Sequence, residues 1–429
     1  MDNFVTFFSF QDPNIRYVVF GSVLLASSAA IVGTFIFLKK KALVGDAVAH
    51  SVLPGICVAF LIAETKNPFI LVLGAFVSGW ISLVLLDYIV AKSKIKEDTA
   101  IGLILSVFFG LGILMLTIIQ HSGMAGQSGL DSFLFGKAAA LVGNDLVVFS
   151  SISILIMAVV FILFKELRLI AFDTNFAVAI GFPVRSIELV LTTLTVLAVV
   201  VGIQAVGVVL MAAMLITPAA AARFWTDKLP VMLLLAAIFG AISGVFGAYI
   251  SYVAPAMPTG PWIVMVISFI AISSFFFAPT KGIVIKSLLQ RRFRMKILEE
   301  NILKIFFRIG EENKDFKKHI QAKELQKYKH FSEGDLKRGL RRLRRQGFIE
   351  KTGSLYQQTI AGNNKGKRVV KLHRLWEVYL MQYLRIAPDH VHEDAESIEH
   401  IITPEIEKEL EEKLNFPQHD PHQSQIPYQ

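Results

Sequence analysis

The stretch LVGDAVAHSVLPGI, residues 43–56, places an aspartate and a histidine inside one of the most apolar parts of the chain. Asp46 and His50 are four residues apart, so they share one face of a helix. Ionisable side chains at membrane depth are costly and are candidates for function. One carboxylate and one imidazole supply half of a divalent-metal site that suits manganese, iron or zinc. The alternative is a polar pair that reaches the interface or a neighbouring helix.

The same stretch continues into a proline and a glycine. Pro54 and Gly55 are predicted to break the helix and to free backbone carbonyls near a transport pathway, as discontinuous membrane helices do. On the simpler interpretation, the two residues only produce a packing kink.

Composition extends the membrane assignment to most of the chain. Of the 429 residues 54% are hydrophobic, and the apolar residues dominate up to about residue 280. A spanning helix needs roughly 17–25 mostly apolar residues, which predicts a polytopic α-helical membrane protein with about nine spans. The predicted spans are 17–38, 46–63, 68–91, 100–119, 145–164, 187–202, 205–222, 230–252 and 261–278.

The loops between these spans differ in charge. Lysines and arginines follow the first, third, fifth and seventh spans, beginning with Lys39, Lys40 and Lys41, whereas the alternate loops hold few. The positive-inside rule therefore places the N-terminus outside and the C-terminus in the cytoplasm. The expected location of the chain is the cell (inner) membrane. Residues 1–280 form the predicted membrane domain, and residues 281–296 a linker.

Between the fifth and sixth spans lies FDTNFAVAIGFPV, residues 172–184, which is too short to span a membrane. This cytoplasmic segment contains Ala177, Gly181 and Pro183. It is predicted to be an amphipathic helix that docks into a partner's groove, and an ordinary loop is the alternative.

Together with QAVGVVLMAAMLITPAAAAR, residues 204–223, these stretches resemble the permease subunits of manganese, zinc and iron ABC importers. The resemblance implies a pore of two permease chains, an extracytoplasmic metal-binding protein and a separate cytoplasmic ATPase. By it, Asp46 and His50 line the metal path, and Ala177, Gly181 and Pro183 belong to the helix that couples to the ATPase. The chain has no G-x-x-x-x-G-K-[ST] motif, so it is expected not to be an enzyme that hydrolyses ATP itself.

The cytoplasmic part begins with a pattern of helix, turn, basic helix and hairpin, which is typical of a winged helix. Ser332 is the predicted N-cap of the basic helix, and Gly347 is its predicted stop. Such a helix would enter a DNA major groove with its cations on phosphates, whereas a solvated or lipid-facing basic helix is the alternative. The candidate DNA-binding residues are Lys337, Arg338, Arg341, Arg342, Arg344 and Arg345.

The residues after the wing are dense in metal-ligand types. His373 and Glu377 are four residues apart, and four further candidates follow with the spacing of one helical face. Two such histidine–carboxylate sets could hold one or two transition ions, whereas a charged solvated helix is the alternative. The four further candidates are His392, Glu396, Glu399 and His400.

Residues 299–427 resemble the diphtheria-toxin-repressor family, which includes manganese-transport repressors. By this resemblance, residues 297–368 are the winged helix, 369–417 are the metal-sensing and dimerisation helices, and 418–429 are an extended tail. All six ligand candidates fall on the family's ligand positions, and Glu300 falls on another in the first helix. Leu303 departs from the manganese type, which has a carboxylate there.

The leading hypothesis is a metal importer permease fused to a metal-dependent repressor that binds a DNA operator and senses the imported manganese, iron or zinc. The alternative is a metal-sensing brake on transport that binds no DNA. Proteolysis within 281–296 is a further hypothesis, which immunoblots of the C-terminus under different metal supplies would test. Only full-length protein under every supply would contradict it.

Overall fold

The computed structural model describes residues 2–65, 67–122, 143–254, 257–384 and 398–428. The chain divides into two compact units, Met1–Lys286 and Ser287–Gln429. In its described residues the first unit is helical, and the second combines helices with a three-stranded sheet.

The helices of the first unit match the predicted apolar runs. Among the described residues, seven helices are long and apolar enough to cross a membrane, and α6 with α7, bent by 72°, would make an eighth. Each of the nine predicted runs lies largely within a helix, and the run at 205–222 gives a shorter one. The chain is therefore a multi-pass membrane protein. The described helices are α1 (Asp2–Phe8), α2 (Pro13–Leu38), α3 (Val44–Ala63), α4 (Pro68–Lys92), α5 (Glu97–His121), α6 (Gly143–Ile162), α7 (Phe164–Phe172), α8 (Thr174–Ala179), α9 (Val184–Val206), α10 (Val208–Trp225), α11 (Leu229–Val253) and α12 (Thr259–Phe277).

Helix α3 lies in the core of the first unit, packed against α4, α5 and α10. A Cβ on Gly55 would lie 2.1 Å from the Gly74 carbonyl oxygen of α4, so the two backbones touch. A residue larger than glycine would push these two helices apart. Small residues at such contacts let membrane helices pack closely.

The predicted break at Pro54 and Gly55 is wrong, because α3 runs unbroken through both residues. Proline removes one backbone N–H, but neighbouring helices in a membrane can support the affected turn. Here the Ser78 hydroxyl of α4 donates to the Ser51 carbonyl at 2.6 Å, directly beside that turn. The role of Gly55 is close packing rather than helix termination.

The second unit begins with helix, strand and two helices, followed by a hairpin. Its strands form an antiparallel sheet in the order β1–β3–β2. The Ser332 hydroxyl accepts from the Asp335 N–H, and Gly347 takes a φ of +76°, so the predicted cap and stop of the basic helix are confirmed. The elements are α13 (Ile283–Asn313), β1 (Ile320–Gln321), α14 (Ala322–Tyr328), α15 (Glu333–Arg345), β2 (Ile349–Thr352), β3 (Leu355–Gln358), α16 (Ile360–Leu384) and α17 (Pro404–Lys413).

Two regions, one at the start and one at the end of this part of the chain, add to the sequence-based description. Most of the predicted linker, residues 281–296, is part of α13. The last residues pack onto the unit, since Ile426 is only 2% exposed and the guanidinium of Arg374 contacts Asp420 and the Gln425 carbonyl. The described tail therefore contributes to the core around α16.

Ion pairs join α16 to α17. Lys371 contacts Glu407 and Glu411 at 2.6 Å each, and Arg368 contacts Glu407 at 2.7 Å. Burial opposes ionisation of Glu407, but the hydrogen bonds from Lys371 and Arg368 outweigh it and lower the pKa of this carboxyl below 4.5. The pairing stabilises the unit fully above pH 4.5, and this contribution is lost as the pH falls through the folded pKa.

Glu407→Gln is therefore expected to destabilise the second unit by about 1 kcal/mol at neutral pH, since Arg368 and Lys371 lose a charged acceptor but Arg368 is half-exposed. Melting temperatures of wild type and variant should converge as the pH falls below the folded pKa of Glu407, where the wild-type carboxyl is protonated. Glu412→Gln is the matched control, because Glu412 meets Lys408 only at an exposed position, 3.8 Å apart. An equal effect of both variants at neutral pH would contradict the prediction.

Candidate metal sites and nucleic-acid interface

Asp46 and His50 lie on one side of α3, in its first two turns. Asp46 Oδ1 and His50 Nε2 are 3.6 Å apart, and both side chains are partly buried. The His50 ring meets Phe109 of α5 edge-on, with centroids 4.9 Å apart. Within the described residues, His50 Nδ1 is buried without a hydrogen-bond partner. A carboxylate and an imidazole thus face the same space near one end of a core helix.

The segment between α7 and α9 contains the three residues predicted to contact the ATPase. Ala177 of α8 is fully buried, Gly181 has a φ of +75°, and Pro183 immediately precedes α9. On α8 and its end, Phe176, Val178 and Ile180 each expose more than half of their surface. The segment therefore presents exposed apolar side chains on and beside a short helix in which Ala177 is buried.

In the second unit, five of the predicted ligands lie together, in what is termed here the ligand cluster: Glu300, His373, Glu377, Glu399 and His400. His373 Nδ1 contacts Glu399 Oε2 at 2.5 Å, and its Nε2 contacts Glu377 Oε1 at 3.1 Å. His400 Nδ1 contacts Glu300 Oε2 at 2.8 Å, and its Nε2 lies 3.4 Å from Glu399 Oε1. The cluster joins α13, α16 and the segment before α17. His392 and Glu396 lie outside the described residues.

Burial and charge shape the cluster. Burial disfavours protonation of His373, but hydrogen bonds to Glu377 and Glu399 outweigh it and raise the pKa of the imidazole. Burial also disfavours the Glu399 carboxylate, yet the hydrogen bond from His373 and the charge of Lys304 lower the pKa of Glu399. The two side chains thus stabilise each other's charged forms.

The donor set of the cluster suits a transition ion, because buried carboxylates and imidazoles are the usual ligands of manganese, iron and zinc. Among the described residues, however, no three of these side chains converge on one point as ligands around an ion do. They contact one another instead. His400 Nε2 is buried and has no well-directed hydrogen bond in the described residues.

Lys304 is a member of this site that sequence reasoning missed. Its ammonium donates to both oxygens of Glu399, at 2.9 and 3.1 Å, from one helical turn beyond Glu300. Lysine is not a ligand type, so a search for ligand spacing passes over it. The only available signal was a lysine within the apolar run ILKIFF, residues 302–307.

The six predicted DNA-binding cations are all exposed on α15. Two of them are engaged within the protein, since Arg338 pairs with Asp335 at 2.6 Å and Arg342 pairs with Glu299 of α13. Leu336, Leu340 and Leu343 bury the opposite face of the helix. The helix thus presents cations on one side, and Arg342 fixes it to α13.

The fold and these sites define a class: a multi-pass membrane protein joined to a smaller unit rich in metal-ligand side chains. Residues 11–278 match the ABC 3 transport family. Residues 359–428 match the iron dependent repressor, metal binding and dimerisation domain. The chain belongs to the ABC 3 transport family, and it is an ABC transporter permease fused to a metal-dependent repressor domain.

Similar proteins agree with this assignment. The manganese transport system membrane protein MntC of Bacillus subtilis is 40% identical over 379 residues, which cover 88% of this chain and 86% of that protein. The zinc transport system membrane protein TroC of Treponema pallidum is 42% identical, over 68% of this chain and 97% of its own. Among solved structures, PsaBC from Streptococcus pneumoniae in complex with Fab is 32% identical, with a TM-score of 0.59, over 65% of this chain and 97% of its own.

Proposed function

We propose that the first unit carries a divalent transition metal, manganese, iron or zinc, into the cell and that Asp46 and His50 lie on its path. The main support is that these two side chains lie on the same face of α3, where His50 Nδ1 is buried without a hydrogen-bond partner among the described residues. The relatives named for manganese and zinc transport support a metal of this group. Uptake of radioactive manganese by cells producing the transporter tests the proposal.

The transport cycle we propose needs partners of three kinds. A cytoplasmic ATPase would dock on the exposed apolar surface of Phe176, Val178 and Ile180. A second permease chain, identical or related, would complete the pore, and an extracytoplasmic protein would deliver the ion. In this proposal the permease lies in the cell inner membrane. Its N-terminus is outside and its C-terminal unit is in the cytoplasm, as the loop charges predict.

Gly181→Val is expected to lower uptake about 5–30-fold, because a β-branched residue at a φ of +75° carries strain of about 1–2 kcal/mol that depopulates the docking turn. The measurement is initial uptake rate, normalised to the amount of permease in the membrane.

Gly102→Val is the matched control for this change. Gly102 is an exposed glycine of α5, and a Cβ added there meets nothing within 4 Å, as is also true of Gly181. The control should transport at the wild-type rate. Full activity of Gly181→Val would mean that this turn does not limit coupling.

For the second unit we propose a metal-dependent repressor that binds a DNA operator. The order of helix, strand, two helices and hairpin around a three-stranded sheet supports a winged helix. Glu299 and Glu300 are neighbours on α13, and the first pairs with Arg342 of α15 while the second contacts His400 in the ligand cluster. Metal bound at the cluster would therefore act on α13, the helix to which Arg342 joins α15.

A mobility-shift experiment separates the repressor from the brake on transport. Purified chain is mixed with DNA from its own promoter or with scrambled DNA, with and without manganese. The repressor predicts a metal-dependent shift of promoter DNA alone. No selective shift at any metal concentration, together with metal-dependent inhibition of uptake, would support the brake.

A further inference from the structure

Lys304 places a positive charge inside the ligand cluster. Its side chain is 6% exposed, and that of Glu399, to which it donates twice, is fully buried. Glu399 also contacts His373 and lies 3.4 Å from His400 Nε2. The ammonium therefore donates to both oxygens of Glu399, the carboxylate that also lies against both histidines of the cluster.

The charges of the cluster give this position its importance. Glu300, Glu377 and Glu399 are three buried carboxylates, and buried charges require compensation. Lys304 is a buried lysine that contacts one of them, Glu399, whereas Lys296, 3.8 Å from Glu300, is half-exposed. Without Lys304, Glu399 would lose the cation that sits on both of its oxygens.

We propose that Lys304 is a built-in cation of the regulator, which assembles the cluster before metal arrives and raises the metal concentration needed to fill it. This inference rests on the proposed metal-sensing function. Lys304 is a positioning residue, because it acts on metal through Glu399.

Two physical effects point in the same direction. A metal ion lies about 2.0–2.2 Å from a ligating carboxylate oxygen, so an ion on Glu399 would be close to the ammonium and repelled by it. In addition, Glu399 without metal is already stabilised by Lys304, so metal gains less by binding it. Removing the charge should therefore strengthen metal binding and weaken the metal-free unit.

The test uses the full-length chain in detergent and manganese as the probe. Hydrogen exchange of peptides within residues 360–384 reports on α16, which carries His373 and Glu377, separately from the membrane unit. Without metal, the amide hydrogens of α16 in Lys304→Met are expected to exchange faster than those of wild type. The manganese concentration that gives half-maximal protection should fall by at least about tenfold, because the repulsion between the ion and the ammonium is removed.

Two further variants make the result decisive. Lys304→Gln keeps a hydrogen-bond donor without the charge, should show the same shift, and decides the matter if Lys304→Met does not fold. Lys371→Met removes a lysine that pairs with Glu407 and Glu411 outside the cluster, so it should exchange faster without metal but keep the wild-type midpoint.

The outcomes separate this inference from the function on which it rests. If manganese protects wild-type α16 and the midpoint of Lys304→Gln is unchanged or higher, the inference is overturned and metal sensing stands. If manganese, iron and zinc all fail to protect wild-type α16, the proposed sensing function fails. An equal shift in Lys371→Met would assign the effect to general destabilisation and overturn the inference.

Discussion

Asp46→Asn is expected to lower manganese uptake at least about tenfold, because the substitution removes a charged ligand from the proposed path without changing the size of the side chain. The asparagine side chain would keep one oxygen, but it could not offset the charge of a divalent ion. Initial uptake rates at several manganese concentrations measure the effect, with the amount of permease in the membrane determined in parallel.

Asp227→Asn is the matched control for the loss of a carboxylate. Asp227 is exposed, pairs with Arg223 and Lys281, and lies between α10 and α11, outside the predicted path. Uptake by this variant should equal that of wild type. A wild-type rate for Asp46→Asn would show that the ion takes another route through the helices.

The second large effect concerns DNA. Replacing Lys337, Arg341, Arg344 and Arg345 by alanine is expected to weaken metal-dependent binding to promoter DNA about a thousandfold, because four phosphate contacts are lost. The dependence of log affinity on log salt concentration should become shallower by about 3–4 units. Arg338 and Arg342 remain in this variant, since they pair with Asp335 and Glu299.

A variant of equal charge tests whether the position of these cations matters. Alanine at Lys314, Lys317, Lys408 and Lys413, four exposed lysines outside α15, removes the same charge. It should retain most of the affinity and nearly the wild-type salt dependence. If both variants lose the same affinity, α15 is not the DNA-reading helix, and only net charge attracts the nucleic acid.

Periodicity predicted the parts of the fold that depend on local pattern. Nine apolar runs fall in helices, and Ser332 and Gly347 bound α15 as expected, because length, hydropathy and capping are properties of neighbouring residues. The effect of Pro54 on α3 was misjudged because it depends on α4, a distant part of the sequence. Ser78 of α4 donates to the Ser51 carbonyl, and Gly74 of α4 packs against Gly55.

The ligand cluster shows a similar limit. Spacing found His373 and Glu377, which share a helix, and the family resemblance added Glu300 from α13. The pairing of Lys304 with Glu399 joins residues 95 positions apart, so no local pattern indicates it. Likewise, Arg342 was interpreted as one of six DNA-binding cations, and its pairing with Glu299 emerges only when α13 and α15 pack together.

The adjacency of Glu299 and Glu300 also limits how this protein can change during evolution. Successive residues of an α-helix are rotated by about 100° about its axis. Glu299 and Glu300 therefore reach their different partners only while α13 has no inserted or deleted residue here. Inserting a single residue after Glu299 would turn one contact away from its partner even though every side chain remained present. Natural variants of α13 should therefore tolerate substitutions at its exposed positions far better than a gain or loss of one residue between Glu299 and Lys304.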